Sequence, residues 1–400
     1  MSLSDKLSRI IGHPEPIAKS QQTTRGIEEL VKGDWETIGS MRVFQVESSH
    51  RIDASKLQIK KLCSVADVPE PDKILFFDTE TTGLAGGTGV FAFLVGLGFV
   101  SGSRFLVIQL FMPGFGDEPA LLEMLSDFAK PFTHIASFNG KMFDLPLLTT
   151  RFALSRIENT MVGKPHLDLL HLSRPVWKRK LESCSLKSLE TNILGIEREN
   201  DIDGALIPEV YFDWMRTGNP DHLPDVIRHN QLDVSSMYRL LEVLGSMYEN
   251  PESCHFDSPV EMLGLARYFD RKGHQDLASP LLQKAADSRE CAMKDEAWTQ
   301  LGMLHKKKGE FVEAAQCFSN VSLNSQHSVK ALCELAKHYE HTEKDYQKAL
   351  DVTNKAISVN RNMYILTGKS DETDNLAKRA ERLTRKKLKF SEKTVNSDDQ

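Results

Sequence analysis

The chain has 400 residues, 40% hydrophobic and 26% charged, with a net charge of −6. That length exceeds a single compact core, so two or three domains are expected in an ordinary soluble globular protein. The mild acidity excludes a global basic field for nucleic acid and leaves any such binding to local patches or metals.

Six cysteines (Cys63, Cys184, Cys254, Cys291, Cys317, Cys333) are scattered without a CxxC pair. They suit free thiols in a reducing compartment better than a disulfide framework. MSLSDKLSRIIGHPEP meets charge and proline too soon for a secretory signal. The longest apolar run, Val90 to Val100, falls short of the roughly 20 residues of a membrane span. A cytoplasmic protein with no membrane partner is expected.

Residues 1–68 form an irregular lead-in with one strand-like stretch, MRVFQVESSHRI, to which no chemistry attaches. From Asp72 onward, KILFFDTE, VFAFLVGLGFV and SRFLVIQLFM predict three strands separated by glycine turns. ALLEMLSDFAK predicts a helix, HIASFNG a strand ending in a turn, and DLPLLTTRFAL another helix. The order implies a mixed α/β sheet with helices on its faces.

The strand signal ends near residue 249, where MYENPESCHFDSP reads as a linker. Beyond it, LGLARYFDRKGHQDLASPLL, LGMLHKKKGEFVEAAQCF and CELAKHYEHTEKDYQKAL resemble one another. Leu265, Leu301 and Leu335 recur at spacings of 36 and 34, near the period of a tetratricopeptide repeat. Gly273 and Gly309 fall at helix-to-helix turns, and Ala278, Ala314 and Ala349 where paired helices approach. A generic helical bundle is the plainer alternative. The tail, with KRAERLTRKKLKF, reads as a solvated helix or disordered chain, with a nucleic-acid contact as the alternative.

In FFDTETTGLAGGTG, strand alternation puts Asp78 and Glu80 on one face and Thr79 on the other. Two carboxylates ending an apolar strand repel each other, and a hard divalent cation relieves that cost. Simple solvation of both acids is an equal reading of this stretch alone. The glycines do not read as a phosphate cradle: Val90 follows Gly89 where a Walker loop needs lysine, and a strand follows where a dinucleotide fingerprint needs a helix. A hairpin fits better.

SFNGKMFDLPLL sets Asn139 and Asp144 around the start of a helix. HNQLDVSSMYRLLEVL sets His229 and Asp233 four apart, on one face of an amphipathic helix. Taken singly, Asp144 reads equally as a helix cap and His229 with Asp233 as a surface pair.

Taken together, DxExTG, NxxxFD and a late helical His-to-Asp pair follow the order of the DEDD exonuclease motifs. Residues 73–244 resemble this ribonuclease-H-like superfamily, and most closely its YprB-type domain. TTGLAGGTGVFAFLVGLG, ASFNGKMFDLPLL, HLDLLHLSR, LESCSLKSLE and HNQLDV carry the resemblance. It implies an α/β fold, a ribonuclease-H-like mixed sheet flanked by helices. To this the C-terminal region adds an all-α, tetratricopeptide-like helical repeat domain. The expected boundaries are a lead-in over 1–68, a nuclease domain over 69–248, a linker over 249–257, repeats over 258–366 and a charged tail over 367–400.

The resemblance implies phosphodiester hydrolysis, 3′ to 5′, with two Mg²⁺ or Mn²⁺ ions on Asp78, Glu80, Asp144 and Asp233. His229 would serve as general base or water-orienting group, a role suited to a histidine. Better-known branches place Tyr four or His five residues before the last Asp. Here His229 takes the four-residue spacing. Thr81, Asn139 and Phe143 match positions beside the scissile end. SRPVWKRK offers Arg174, Lys178, Arg179 and Lys180 around Trp177 as phosphate contacts with a stacking surface, or equally as a basic helix face over a buried Trp. His166 and Asp168 read as part of a packed helix rather than as extra metal ligands, and Cys254-His255 lacks a second pair at zinc spacing.

The expected partners are nucleic acid, DNA or RNA, single-stranded or with a free 3′ end, and a protein held by the repeats. A structure-specific endonuclease on the same site and a non-catalytic nucleic-acid-binding adaptor are the rivals.

Overall fold

The computed structural model describes residues 25–60, 62, 69–83, 88–289, 291–367 and 373–398. Within them one seven-stranded sheet is built from β1 (Asp34–Ile38), β2 (Met41–Arg51), β3 (Ile74–Thr81), β4 (Ala92–Ser101), β5 (Arg104–Phe111), β6 (His134–Ser137) and β7 (His166–Asp168). Its order is β1-β2-β5-β4-β3-β6-β7. β3–β6 and β6–β7 run parallel, and the other neighbours are antiparallel.

The expected meander is present as β3, β4 and β5. The antiparallel partner after Gly89 is a strand, as the hairpin reading requires, while Leu84 to Gly87 lie outside the described residues. The first 24 residues lie outside them too. The rest of the lead-in differs from expectation: it holds two strands, which pair with each other and extend the sheet through β2 and β5. DWETI shows no apolar alternation: its half-buried residues, Trp35 and Ile38, stand three apart and so fall on opposite faces. Periodicity therefore could not find it.

Six helices accompany the sheet: α1 (Glu118–Ala129), α2 (Asp144–Ser155), α3 (Leu169–Trp177), α4 (Leu186–Leu189), α5 (Ile207–Thr217) and α6 (Leu223–Glu249). Alternation along β3 divides the core into two layers. Leu75 and Phe77 pack with Leu121 and Leu122 of α1, Leu148 and Phe152 of α2, and Tyr211 of α5. Ile74 and Phe76 pack with Tyr238, Leu241 and Leu244 of α6. Continued by one turn of the pleat, the same alternation sends Asp78 and Glu80 toward α6 and Thr79 toward α2.

The glycines within VFAFLVGLGFV let α6 lie directly on β4. A Cβ on Gly96 would stand 2.2 Å from Asn230 Oδ1, and one on Gly98 2.5 Å from Val234. Strand glycines often mark such close approaches.

The C-terminal region is helical: α7 (Pro259–Lys272), α8 (Gln275–Ala286), α9 (Cys291–Lys308), α10 (Phe311–Ser319), α11 (Ser328–His338), α12 (Tyr346–Thr367) and α13 (Thr373–Asp398). Leu265, Leu301 and Leu335 are buried on α7, α9 and α11, and Ala278, Ala314 and Ala349 on α8, α10 and α12. Gly273 and Gly309 end α7 and α9 with φ of 85° and 82°, backbone that glycine adopts without a Cβ penalty.

The residues expected as a linker are packed: Phe256 is buried in the core that also holds Trp177 and Leu263. α7 crosses α3 so closely that a Cβ on Gly264 would stand 2.0 Å from the Pro175 carbonyl. One apolar cluster runs from Phe76 in the sheet to Leu301 in the helical region. Among the described residues, no helix is long and apolar enough to cross a membrane.

Candidate active site

Asp78 and Glu80 occupy the end of β3, Asp144 the first turn of α2, and His229 and Asp233 successive turns of α6. The fold brings these three segments together. Asp78 feels the charges of Asp233, Glu80 and Asp144, and Glu80 those of His229, Asp233 and Asp144.

Burial is the first cause of a raised pKa in all four carboxyls. In Asp78 the neighbouring acids add to it and push the group well above the ordinary aspartate value. Glu80 is pushed up to about 7, with Asp233 and Asp144 adding to burial and His229 opposing. Perturbation by burial and neighbouring acids together is a mark of functional carboxylates.

Asp78, Asp144 and Asp233 are each also held by a neutral or cationic partner. Asn230, fully buried, donates to Asp78 Oδ2 at 2.9 Å and is itself held through Oδ1 by Gln109 at 2.9 Å. Thr79, turned to the opposite face of β3, donates its hydroxyl to Asp144. Asp233 accepts from Arg198, whose guanidinium also binds Glu190 at 2.5 Å and Asp201 at 3.2 Å. Burial disfavours the charge on Arg198, but these carboxylates more than compensate and raise its pKa.

Asp201 also meets His229 Nδ1 at 2.9 Å, while His229 Nε2 lies 3.7 Å from Asp233. Burial opposes the charge on Asp201, yet the bonds from His229 and Arg198 bring its pKa below the usual range. An ionised carboxylate can only accept, so His229 carries its proton on Nδ1 and leaves Nε2 able to accept one.

A third set of contacts shapes the turn before Asp144. Asp168, buried, accepts from the backbone N–H of Asn139 at 2.9 Å, Lys141 at 3.2 Å and Leu170 at 3.1 Å. Asn139 stands at φ 66° within that turn. His166 Nε2 meets Ser137 Oγ at 2.7 Å, and burial drives its pKa down to about 4. Both residues are engaged in packing, although HLD is an edge strand where a helix was expected. Asp168 ends that strand and caps α3, so a strand and a helix meet where the sequence showed one apolar run.

The donor set suits a hard divalent cation, because it is all oxygen and the neighbouring acids help raise the pKa of Asp78 and Glu80. Among the described residues, however, no three His, Cys, Asp or Glu side chains stand ready-made around a metal position. Asp233 is drawn to Arg198 instead.

Of the substrate residues, Thr81 is half-buried and donates to the Gly83 carbonyl at 2.9 Å, and Phe143 is exposed beside Asp144. Trp177 is corrected: it is fully buried, and its Nε1 donates to Glu261 at 3.0 Å. It cannot offer a face to a base. Arg179 is tied to Glu296, and Lys180 to Asp257 and Glu261, binding the end of α3 to the helical region. Arg174 and Lys178 are exposed and make no ion pair with a described residue.

Thr79, Arg198, Asp201, Glu190 and Asn230 were not singled out from sequence. Only Asn230 left a signal, a polar residue on the apolar side of α6 next to His229.

A mixed sheet with an interior strand that ends in a carboxylate pair, and with further acids arriving from two flanking helices, defines a ribonuclease-H-like nuclease domain. The RNase_H superfamily profile matches residues 75–245. Over 319 residues the chain is 34% identical to YprB of Bacillus subtilis (strain 168), a match covering 79% of this chain and 75% of that protein. The chain belongs to the RNase H superfamily and, within it, to the family of YprB; the superfamily is one of nuclease hydrolases that act on nucleic acid. Among solved structures, the family B DNA polymerase of Pyrobaculum calidifontis matches with 18% identity and a TM-score of 0.35, over 61% of this chain and 30% of the polymerase. That likeness is too low to bear on function.

Proposed function

We propose that the domain is a metal-dependent 3′–5′ exonuclease. The observation that carries this reading is the convergence of Asp78, Glu80, Asp144 and Asp233, four buried acids from three segments, two of which, Asp78 and Glu80, feel the charges of the others. These four would hold two Mg²⁺ or Mn²⁺ ions, which when bound activate a water and steady the leaving oxygen. Asn230 and Thr79 orient Asp78 and Asp144. Asp201 fixes the His229 tautomer, so that Nε2 takes the proton of the attacking water. Arg198 opposes the burial that raises the pKa of Asp233 and helps bring that of Asp201 down.

The paired helices from α7 to α12 are read as tetratricopeptide-like repeats that hold a protein partner, a reading supported by the recurring buried Leu and Ala positions. Free thiols at Cys184, Cys254, Cys317 and Cys333 support a cytoplasmic setting.

The test uses matched DNA and RNA strands, labelled at either end, incubated with Mg²⁺ or Mn²⁺ beside an Asp78→Asn control. Products shortening from the 3′ end support the reading. Cleavage of a circular single strand would turn it into an endonuclease, and products unaffected by the substitution would remove the site from the reaction.

A further inference from the structure

A second concentration of charge lies far along the chain from the carboxylates. Although the whole chain is acidic, residues 378–389 hold seven Lys or Arg and one Glu. α13 turns them toward α11, and between the two helices lies a groove of about 770 Å³. Its walls carry Lys330 and Lys337 from α11 and Lys378, Arg379, Arg382 and Arg385 from α13, against one acid, Glu334.

Part of this charge is internally matched. Lys337 binds Glu334 at 2.5 Å, and Arg382 and Lys386 bind Glu340 at 2.8 and 2.9 Å. The remainder is not. Lys330, Lys378 and Arg385 are exposed and make no ion pair with a described residue. Arg379 is matched only loosely, its Nη1 3.8 Å from Glu340 and buried without a hydrogen-bond acceptor among the described residues.

We infer that this groove binds the backbone of a nucleic-acid single strand, as a second contact site distinct from the carboxylate cleft. Lys378, Arg382 and Arg385 stand at i, i+4 and i+7 and so share one face of α13, spanning roughly 10 Å along its axis. A row of fixed cations at that spacing matches a linear polyanion better than a compact one, and the phosphates of a strand supply the counter-charge the unmatched residues lack. Val329 in the groove wall offers an apolar surface beside the row. The choice of nucleic acid over another polyanion rests on the nuclease reading of the sheet domain.

The test is fluorescence anisotropy of a labelled single strand on the full chain, in EDTA, across a range of salt. Replacing Lys330, Lys378 and Arg385 together by Gln removes only exposed side chains. The expected result is weaker binding, with the slope of log K against log salt falling by about 2, from ~0.7 per lost phosphate contact. An unchanged slope in the triple variant overturns the groove, as does a wild-type chain that binds no strand. Polyglutamate that displaces the strand as well as unlabelled nucleic acid does overturns it too, since the groove would then fit acidic peptide. The two readings separate cleanly: a wild type that cleaves nothing but whose slope still falls in the triple variant leaves the groove standing and removes only the exonuclease.

Discussion

Arg198 donates to both Glu190 and Asp233, so the last carboxylate of the cluster is held by a side chain 35 residues upstream. The same guanidinium reaches Asp201, which holds His229. One buried cation therefore organises both the acid and the histidine of α6.

Replacing Arg198 by Met would leave Glu190 and Asp201 buried without their counter-charge. Breaking a buried pair of this kind costs about 3–5 kcal/mol. Urea unfolding should show a loss of that size, with Arg198→Lys recovering part of it. A loss under about 1 kcal/mol would show that solvent, not Arg198, neutralises these acids.

Glu80 gives a pH signature. Its pKa rises from 4.5 in the ordinary case to about 7 in the fold. Between those values the folded state binds the extra proton, so this residue's contribution to stability falls as pH rises. His166, its pKa lowered by burial to about 4, acts in the opposite direction over much of the same window. The informative quantity is thus a difference: the Tm of Glu80→Gln in metal-free buffer should gain on wild type as pH climbs from about 4.5 to 7. A constant difference across that range contradicts the assignment. Mg²⁺ or Mn²⁺ should raise the wild-type Tm most at the upper end.

Asp78→Asn should abolish cleavage, by roughly 10³-fold or more if several kcal/mol of transition-state stabilisation is lost with it. The folded state should be no less stable, because the substitution removes a buried carboxyl whose charge is disfavoured. Rates on end-labelled strands and a thermal melt measure the two effects separately. Retained cleavage in a folded variant would exclude Asp78 from the reaction.

His229→Ala should lower kcat by about 10²–10⁴-fold, the usual range for a lost general base. Asp201→Asn should lower kcat less and leave KM unchanged, since Asp201 meets His229 rather than the cleft. Equal effects on KM and kcat in Asp201→Asn would instead make it part of the binding surface.

Gly96→Ala tests how α6 is seated. The added Cβ would press on Asn230 Oδ1, so a loss of about 1–3 kcal/mol is expected from overpacking. Because Asn230 holds Asp78, activity should fall further than the stability change explains. Wild-type kinetics in this variant would show that the helix shifts without cost.

The strands β3, β4 and β5, the helices flanking β6 and the helical C-terminal region were all readable because alternation and the helical period are properties of neighbouring residues. The order of Asp78, Glu80, Asp144, His229 and Asp233 was equally readable, since a motif is itself a spacing. β1 was missed because its two half-buried residues, Trp35 and Ile38, stand three apart and so carry no period-two pattern. SRPVWKRK had two physical readings, and only the arrival of α7 over α3 buried Trp177 and tied Arg179 and Lys180 to acids more than 70 residues away.

The sequence by itself thus determined the class of domain and the acids of its candidate site. Tertiary structure decided how those acids are held: Arg198, Glu190 and Asp201 on loops and short turns, Thr79 from the reverse face of its strand, and Asn230 through a glycine gap in β4. The reason is physical. Side-chain periodicity is written along the chain, whereas burial, counter-charge and hydrogen bonding arise only when distant segments exclude water from one another.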